Sequence, residues 1–363
     1  MRLSGEQEAA IRAVSVWLKT PRGKPYFYLA GYAGTGKTTL ARHLAEGVDG
    51  DVVYGAFTGK AALVMRSKGC RGAGTIHSLI YRLEDETAES PSFRINADSP
   101  VAKAELVVID EVSMVGEDLA KDLLSFGTKV LVLGDPAQLP PVRGTGYFTA
   151  DEPDVMLTEV HRQARDNPVV RLSMDVREGR RLEVGDFGET RVVRRGDLDP
   201  AAVVAADQVL VGMNRTRHLY NRRLRELAGR TSTLPEVGER LVCLRNNRGK
   251  GLLNGGLWTV AAVSARPDGL VKLGVEPADP GVKRRRVEVT VHPSHFTEEA
   301  PPPGRTSLLD DFTYGYALTV HKAQGSQWDR VTLFDESWAF RDDRARWLYT
   351  GITRAAEAIT VVV

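Results

Sequence analysis

In the first half of the chain, apolar residues fall in short unbroken runs, each followed by a stretch with helical spacing. Tyr26–Ala30 (YFYLA), Val52–Ala56, Leu106–Asp110 (LVVID) and Lys129–Gly134 (KVLVLG) are apolar without alternation. A strand wetted on one face alternates and a strand buried on both faces does not, so these runs predict a parallel sheet covered by helices on both sides. Helices are expected from about Lys37 and near Glu117–Ser125. A second αβ set follows: strand Gln208–Gly212, helix Thr216–Ala228, strand Arg330–Phe334, helix Arg344–Arg354 and strand Ala358–Val363. Between them the pattern changes. Across about Leu257–Asp311, the alternating runs WTVAAV, LVKLGV and RRVEVTV are separated by PDG, EPADPG and PPPG, which predicts a small antiparallel barrel or sandwich inserted in a loop. Glu84–Pro100, with its Ser, Pro, Asn and Asp clusters, predicts a loop or small hairpin projecting from the first domain. The fold class is α/β.

The loop after the first strand carries chemistry. Gly31-Tyr-Ala-Gly34-Thr35-Gly36-Lys37-Thr38 fills GxxxxGK[ST] and stands between a strand and a helix, the context that motif requires. Its glycines let backbone N–H groups curl round phosphates, and the helix N-terminus adds partial positive charge. Lys37 is expected to reach the β- and γ-phosphates and the Thr38 hydroxyl to bind Mg²⁺. Val107-Val108-Ile109-Asp110-Glu111 ends an apolar strand in two acids. Asp110 is expected to hold Mg²⁺ through water, and Glu111 to act as general base on the attacking water. Together they predict a nucleotide triphosphatase. No NKxD guanine motif is evident. Gln7 is read either as an adenine-edge contact or as a solvated side chain.

Composition narrows the class further. No run approaches the roughly 18 apolar residues of a membrane span. Glu6 and Gln7 stand where a signal peptide would place its apolar core. Cys70 and Cys243 lack CxxC partners, so neither a disulfide framework nor a Cys-based zinc site is expected, and the setting is predicted to be cytoplasmic. Net charge is only +2, but it is unevenly distributed. Residues 160–250 hold 19 Lys/Arg against 12 Asp/Glu, and residues 84–119 hold 2 against 10. The basic excess is mostly arginine, which suits bidentate grips on phosphate; a charge-mixed solvated surface is the competing reading.

Nine segments in order carry a resemblance: SGEQEAAI (4–11), GYAGTGKTT (31–39), AFTGKAA (56–62), GTIHSLI (74–80), VVIDEVSM (107–114), VLGDPAQLPPV (132–142), LTEVHRQ (157–163), YALTVHKAQGSQWDRV (316–331) and LYTGITRA (348–355). Along nearly its whole length the chain resembles a superfamily 1 helicase of the 5′-to-3′ branch, the Dda-like and RecD-like group. The resemblance implies two RecA-like P-loop domains, 1–155 and 156–256 with 312–363, and an inserted SH3-like β-barrel at 257–311. It implies ATP and Mg²⁺ as cofactors, with ATP bound between the two domains. Gln138 would sense the γ-phosphate, a role its carboxamide can fill. Arg162 and Arg354 would be arginine fingers, His161 would pack on the adenine, and Thr39 and Gly325 would join the nucleotide site.

The same resemblance places Phe57, Thr58, Lys60, Thr75, His77, Thr319 and His321 on single-stranded DNA. Hydroxyls and loop amides can hold sugar–phosphate without reading bases, and Phe57 or His77 can stack on them. Other readings stay open: Thr75 as a helix N-cap, Phe57 as core. Lys283-Arg284-Arg285-Arg286 is read equally as a second DNA grip or as a solvated strand edge. The segment 84–100 would be a short, acidic separation pin, with Phe93 its only aromatic. The implied activity is an ATP-dependent helicase moving 5′ to 3′ on single-stranded DNA and displacing the complementary strand at a fork, as a monomer and beside replication or recombination proteins. An RNA helicase, or a nucleic-acid-stimulated ATPase subunit with little unwinding of its own, is the alternative.

Overall fold

The structure, a computed structural model, describes residues 3–20, 23–83, 93–141, 144–160, 166–247, 249–278, 285–297 and 309–363. Its first sheet has six parallel strands among these residues. Their order is Gly74–Thr75, Val52–Ala56, Leu106–Asp110, Lys129–Gly134, Tyr26–Gly31 and Val155–Leu157. The non-alternating runs are explained by burial on both faces. Leu29, Leu106, Val108, Leu131 and Leu133 pack with Val14, Trp17, Leu40, Leu44 and Met65 of helices Gly5–Lys19, Lys37–Ala45 and Gly59–Ser67. Their neighbours Tyr28, Val107, Ile109, Val130 and Val132 pack on the other side with Ile76, Ile80, Leu119 and Leu123. Each such side chain contributes about 1.5–3 kcal/mol on burial. The strands Val155–Leu157 and Gly74–Thr75 were not foreseen, because three and two residues are too short to show a pattern.

Parallel register aligns the carboxyl ends of the strands. Ala30 pairs with Gly134, Gly31 with Leu157 and Ala56 with Asp110. Every loop carrying a chemical motif in this half of the chain therefore leaves from one edge of the sheet, where open α/β sheets bind ligands.

The chain divides into two compact units. One takes in Met1–Arg82, Arg94–Leu198 and Gln324–Val363, and the other Leu83–Phe93 and Asp199–Ala323. Helix Arg344–Ile352 lies in the first unit, where it is bonded to loops of the first sheet. The first unit also contains strand Trp328–Phe334 parallel to Ala355–Val362, with Thr190–Val193 and the antiparallel Gly185–Phe187 beyond. Both long strands start about two or three residues earlier than expected, and the helix expected to run to Arg354 ends at Ile352. Helix Pro168–Arg177 was not foreseen, although Asn167 caps it and Pro168 opens it, a helix-start signal. The Ile80 carbonyl accepts from the Asn96 N–H (2.8 Å), and strands Tyr81–Leu83 and Phe93–Ile95 pair there. Most of the expected pin, including the Phe93 side chain, lies outside the described residues.

In the second unit, strand Gln208–Val211 is parallel to Ala317–Thr319 and precedes helix Asn214–Leu227. An antiparallel sheet follows in the order Val287–Val291, Val271–Pro277, Leu257–Ala265, Arg240–Cys243 and Phe312–Tyr314. Its first three strands are the expected alternating runs. The last two lie outside 257–311, so the sheet is larger than the insertion read from the sequence. Leu241, Val260, Leu273, Val275, Val289 and Phe312 form its core. No helix among the described residues is long and apolar enough to cross a membrane.

Arg225 and Glu239 form a buried ion pair in this unit, with Nε to Oε1 at 2.6 Å and Nη2 to Oε2 at 2.9 Å. The guanidinium lies 4.1 Å from the centroid of the Tyr314 ring. Removing one partner leaves a buried charge without its counter-ion. Glu239→Ala is expected to destabilise the protein by about 3–5 kcal/mol in urea unfolding followed by circular dichroism; an unchanged midpoint would refute it.

Candidate functional site

The phosphate-binding loop starts at the end of its strand, Gly31. Gly34 and Gly36 have φ of 81° and 80°, left-handed values that strain any side chain with a Cβ. A Cβ on Gly31 would lie 2.7 Å from Thr35 Oγ1 and 3.0 Å from Leu157 Cβ, so this position is held to glycine by space. Gly36 opens helix Lys37–Ala45 without a side-chain cap. Its first amides remain as donors for an anion. Lys37 Nζ bends back over the loop to donate to the carbonyls of Gly31 and Tyr32, the latter at 3.0 Å. Thr35 is buried, its hydroxyl donating to the Tyr32 carbonyl at 2.8 Å. The Arg177 guanidinium lies over the Tyr32 ring at 3.7 Å.

Across the sheet edge, the Thr38 hydroxyl donates to Asp110 Oδ2 at 2.6 Å. Asp110 is buried and its Oδ1 accepts the Glu111 N–H at 2.8 Å. Glu111 has φ 56° and ψ 47°, uncommon for a residue with a side chain and frequent at functional positions. Burial raises the pKa of Asp110, against the pull of the Thr38 hydroxyl, the Glu111 amide and Lys37. Burial also raises Glu111; the Arg354 guanidinium and Lys37 oppose the shift, and Asp110 and Asp135 add to it. Thr38 and Asp110 thus offer two adjoining hard oxygen donors, a set that fits Mg²⁺ completed by phosphate and water oxygens. Among the described residues no cluster of three or more His, Cys, Asp or Glu forms a separate metal cage.

Gln138 lies in the loop beyond Lys129–Gly134. It is buried, and its Oε1 has no hydrogen-bond partner among the described residues. A buried acceptor left open in this way costs stability, and a ligand would relieve it. The loop is pinned on both sides of Gln138. Before it, Asp135 Oδ2 accepts the Tyr349 hydroxyl at 2.7 Å; after it, Leu139 donates its N–H to Thr350 Oγ1 at 2.9 Å and accepts from Gln324 Nε2 at 2.9 Å. Arg354 follows the helix that carries Tyr349 and Thr350. It is buried and gives three of its five N–H groups to the Thr350 carbonyl, the Ser326 carbonyl and Thr353 Oγ1. The sequence reading missed Tyr349, Thr350 and Asp135. They stand inside quoted motifs, but nothing in the sequence links positions more than 200 residues apart.

Helix Gly5–Lys19 braces this edge. The Gln7 carboxamide accepts from the Ser4 N–H at 3.1 Å, in a capping box, and donates to the Thr35 carbonyl at 3.0 Å. Gln7 is buried and bonded to the phosphate loop, so the solvated reading fails for a physical reason: both ends of its amide have protein partners. Its neighbour Glu6 accepts from the Thr158 N–H, the Thr158 hydroxyl and the Glu159 N–H at 2.7–2.8 Å. Partial burial works against the Glu6 carboxylate, and these bonds outweigh it and lower its pKa. They fix the chain just before His161 and Arg162, which lie outside the described residues.

Most of the residues expected on DNA also have structural work. Thr58 Oγ1 caps helix Gly59–Ser67 through the Ala61 N–H, and Thr75 Oγ1 caps Ile76–Ile80 through the Ser78 N–H, each at 3.2 Å. The Phe57 and His77 rings meet edge-on at 6.3 Å, with Phe57 half-buried against the core. Lys60 Nζ sits 4.3 Å over the Trp328 ring. Gly325, with φ 72°, packs on Thr58 and Ala61. Thr319 and His321 belong to the other unit, where Thr319 Oγ1 accepts the Lys322 N–H at 3.3 Å.

Comparison with known proteins shows what the chain is similar to. The AAA domain family matches residues 2–197, more than half of the chain, and the UvrD-like helicase C-terminal domain matches residues 314–362. An ATP-dependent RecD2 DNA helicase from Deinococcus radiodurans is 31% identical over 91% of this chain, which spans 46% of that protein's length. An ATP-dependent DNA helicase Pif1 from Bdellovibrio bacteriovorus is 26% identical over 91% of the chain and 81% of its own. The fold matches Bacteroides Pif1 bound to single-stranded DNA with a TM-score of 0.58 at 19% identity, over 99% of this chain and 92% of that one. Likeness at that identity establishes the fold, with mixed α/β sheets that fit two RecA-like domains. The chain belongs to the AAA domain family, and it is similar along most of its length to DNA helicases named RecD2 and Pif1.

Proposed function

We propose that the chain hydrolyses ATP to move 5′ to 3′ along single-stranded DNA and displaces the complementary strand. The observation that carries the hydrolysis is one charged network at one sheet edge: Lys37, Thr38, Asp110 and Glu111 lie within electrostatic or hydrogen-bonding reach of one another, and the Arg354 charge opposes the raised pKa of Glu111; movement on DNA rests on the similarity to DNA helicases named RecD2 and Pif1. The phosphates would lie on the loop amides and Lys37. Mg²⁺, held by Thr38 and Asp110, would supply neutralising charge at the phosphates. Glu111 would accept the proton of the attacking water, and the open Gln138 Oε1 would orient that water. Arg354, with two N–H groups not committed to those three acceptors, would stabilise charge on the transferred phosphoryl group, with Arg162 proposed beside it.

The motor domains are proposed as 1–155 and 156–256 with 312–363. The antiparallel sheet, read as an SH3-like barrel, would lie in the second. In this reading Phe57, Thr58, Lys60, Thr75, His77, Thr319 and His321 contact the strand. Thr58 and Thr75 would do so by donating the hydroxyl hydrogen, which capping does not use, to a phosphate oxygen. His161, Gly325 and Gln7 remain proposed nucleotide neighbours.

Three outcomes are expected. Duplexes with a single-stranded 5′ tail are unwound with ATP, and those with only a 3′ tail are not; the reverse pattern, or displacement with a non-hydrolysable analogue alone, would contradict the reading. Matched RNA strands in the same assay test the RNA alternative. Lys37→Ala is expected to abolish DNA-stimulated phosphate release, and wild-type turnover would refute it. Glu111 must be ionised to take a proton, and burial raises its pKa. The kcat should therefore fall on acidification at a higher pH than an ordinary glutamate dictates, and Glu111→Gln should remove that limb along with most of the rate. The same limb persisting in Glu111→Gln would assign it elsewhere.

A further inference from the structure

The Tyr349 hydroxyl joins two catalytic loops that no backbone contact needs to join. Its oxygen accepts the N–H of Ala33, the third residue of the phosphate loop, at 2.9 Å, and its proton goes to Asp135 Oδ2 at 2.7 Å. Tyr349 is 1% exposed, so both bonds are shielded from water. Burial and the adjacent Asp135 push its pKa well up, which keeps the phenol protonated as a donor. The remaining oxygen of Asp135 accepts the Ala137 N–H at 3.0 Å, and its carbonyl accepts the Gln138 N–H at 3.2 Å. Asp135 therefore sets the turn that presents Gln138, and Tyr349 sets Asp135. The next residue of the helix, Thr350, holds the other side of the turn at Leu139 and gives its carbonyl to Arg354 Nε at 3.0 Å.

We infer that Tyr349 is a positioning residue for phosphoryl transfer: its hydroxyl fixes the Gln138 turn against the Ala33 end of the phosphate loop. This rests on the ATPase reading above. Tyr349 need not touch nucleotide. Its effect is expected where geometry matters most, in the transition state, and less in ground-state binding. Phenylalanine keeps the ring in its packing and removes both hydrogen bonds. It leaves the Asp135 carboxylate buried with one donor fewer and the Ala33 amide without its acceptor.

The test is Tyr349→Phe in the full chain, with ATPase kinetics in the presence of single-stranded DNA and with equilibrium binding of a fluorescent ADP, alone and with aluminium fluoride. The kcat is expected to fall by about ten- to 150-fold, the range for hydrogen bonds to a charged group, with KM and ADP affinity changed less than about twofold. Affinity for the ADP–fluoroaluminate complex is expected to fall with kcat. Thr350→Val, which removes the tether at Leu139, should shift the same two readouts in the same direction. Unchanged kcat and fluoroaluminate affinity in Tyr349→Phe would overturn the inference. So would equal losses in ADP and fluoroaluminate binding, which mark a merely structural role. Wild-type protein without ATP turnover would sink the ATPase reading and this inference together; an active wild type beside an unaffected Tyr349→Phe sinks the inference alone.

Discussion

The 2.6 Å bond between the Thr38 hydroxyl and the Asp110 carboxylate is the constraint on which the site depends. It requires the phosphate loop and the Asp110 strand to end at the same height, although strand Lys129–Gly134 lies between them. Only a parallel sheet in this register does that, and such a sheet needs strands apolar on both faces and helices to cover them. Burial of those apolar faces sets the register, and the register brings the two polar groups together at its edge. The same bond opposes the effect of burial on Asp110 and offers the paired oxygens that suit Mg²⁺.

Around that contact the site is held by residues that do no chemistry. Glu6 and Gln7 are consecutive on one helix, and each ties down a different loop: Gln7 the Thr35 carbonyl, Glu6 the amides of Thr158 and Glu159. On the other side, Gln324, Tyr349 and Thr350 hold the turn that bears Gln138. Gln324 and Arg354 belong to segments whose neighbours also meet the expected DNA face. Gly325 packs on Thr58, and Trp328 lies under Lys60 while its N–H donates to the Arg354 carbonyl at 2.9 Å. In the proposed function, contacts of this kind would give a physical route by which strand binding and phosphoryl transfer influence each other.

The parts of the site legible in the sequence are those where backbone geometry restricts residue type. Gly34 and Gly36 stand at positive φ and Gly31 has no room for a Cβ, so the loop announced itself. The buried strands were legible because burial on two faces leaves no polar positions. The clamps were not. Tyr349 bonds Ala33 and Asp135 across 316 and 214 positions, and a tyrosine on a helix face reads the same whether it caps a loop or fills a core. The antiparallel sheet was read too small for a related reason. Arg240–Cys243 and Phe312–Tyr314 are short and buried, and they lack the alternation that marked its other strands.

The central claim is that Lys37, Gln138 and Arg354 act on a single phosphoryl group. The most direct measurement is a structure with ADP, aluminium fluoride, magnesium and a single-stranded DNA oligomer. The expected result has the fluoroaluminate within hydrogen-bonding distance of Lys37 Nζ, the Gln138 carboxamide and an Arg354 N–H. Nucleotide bound on the phosphate loop with Gln138 and Arg354 both out of reach of the fluoroaluminate would contradict it.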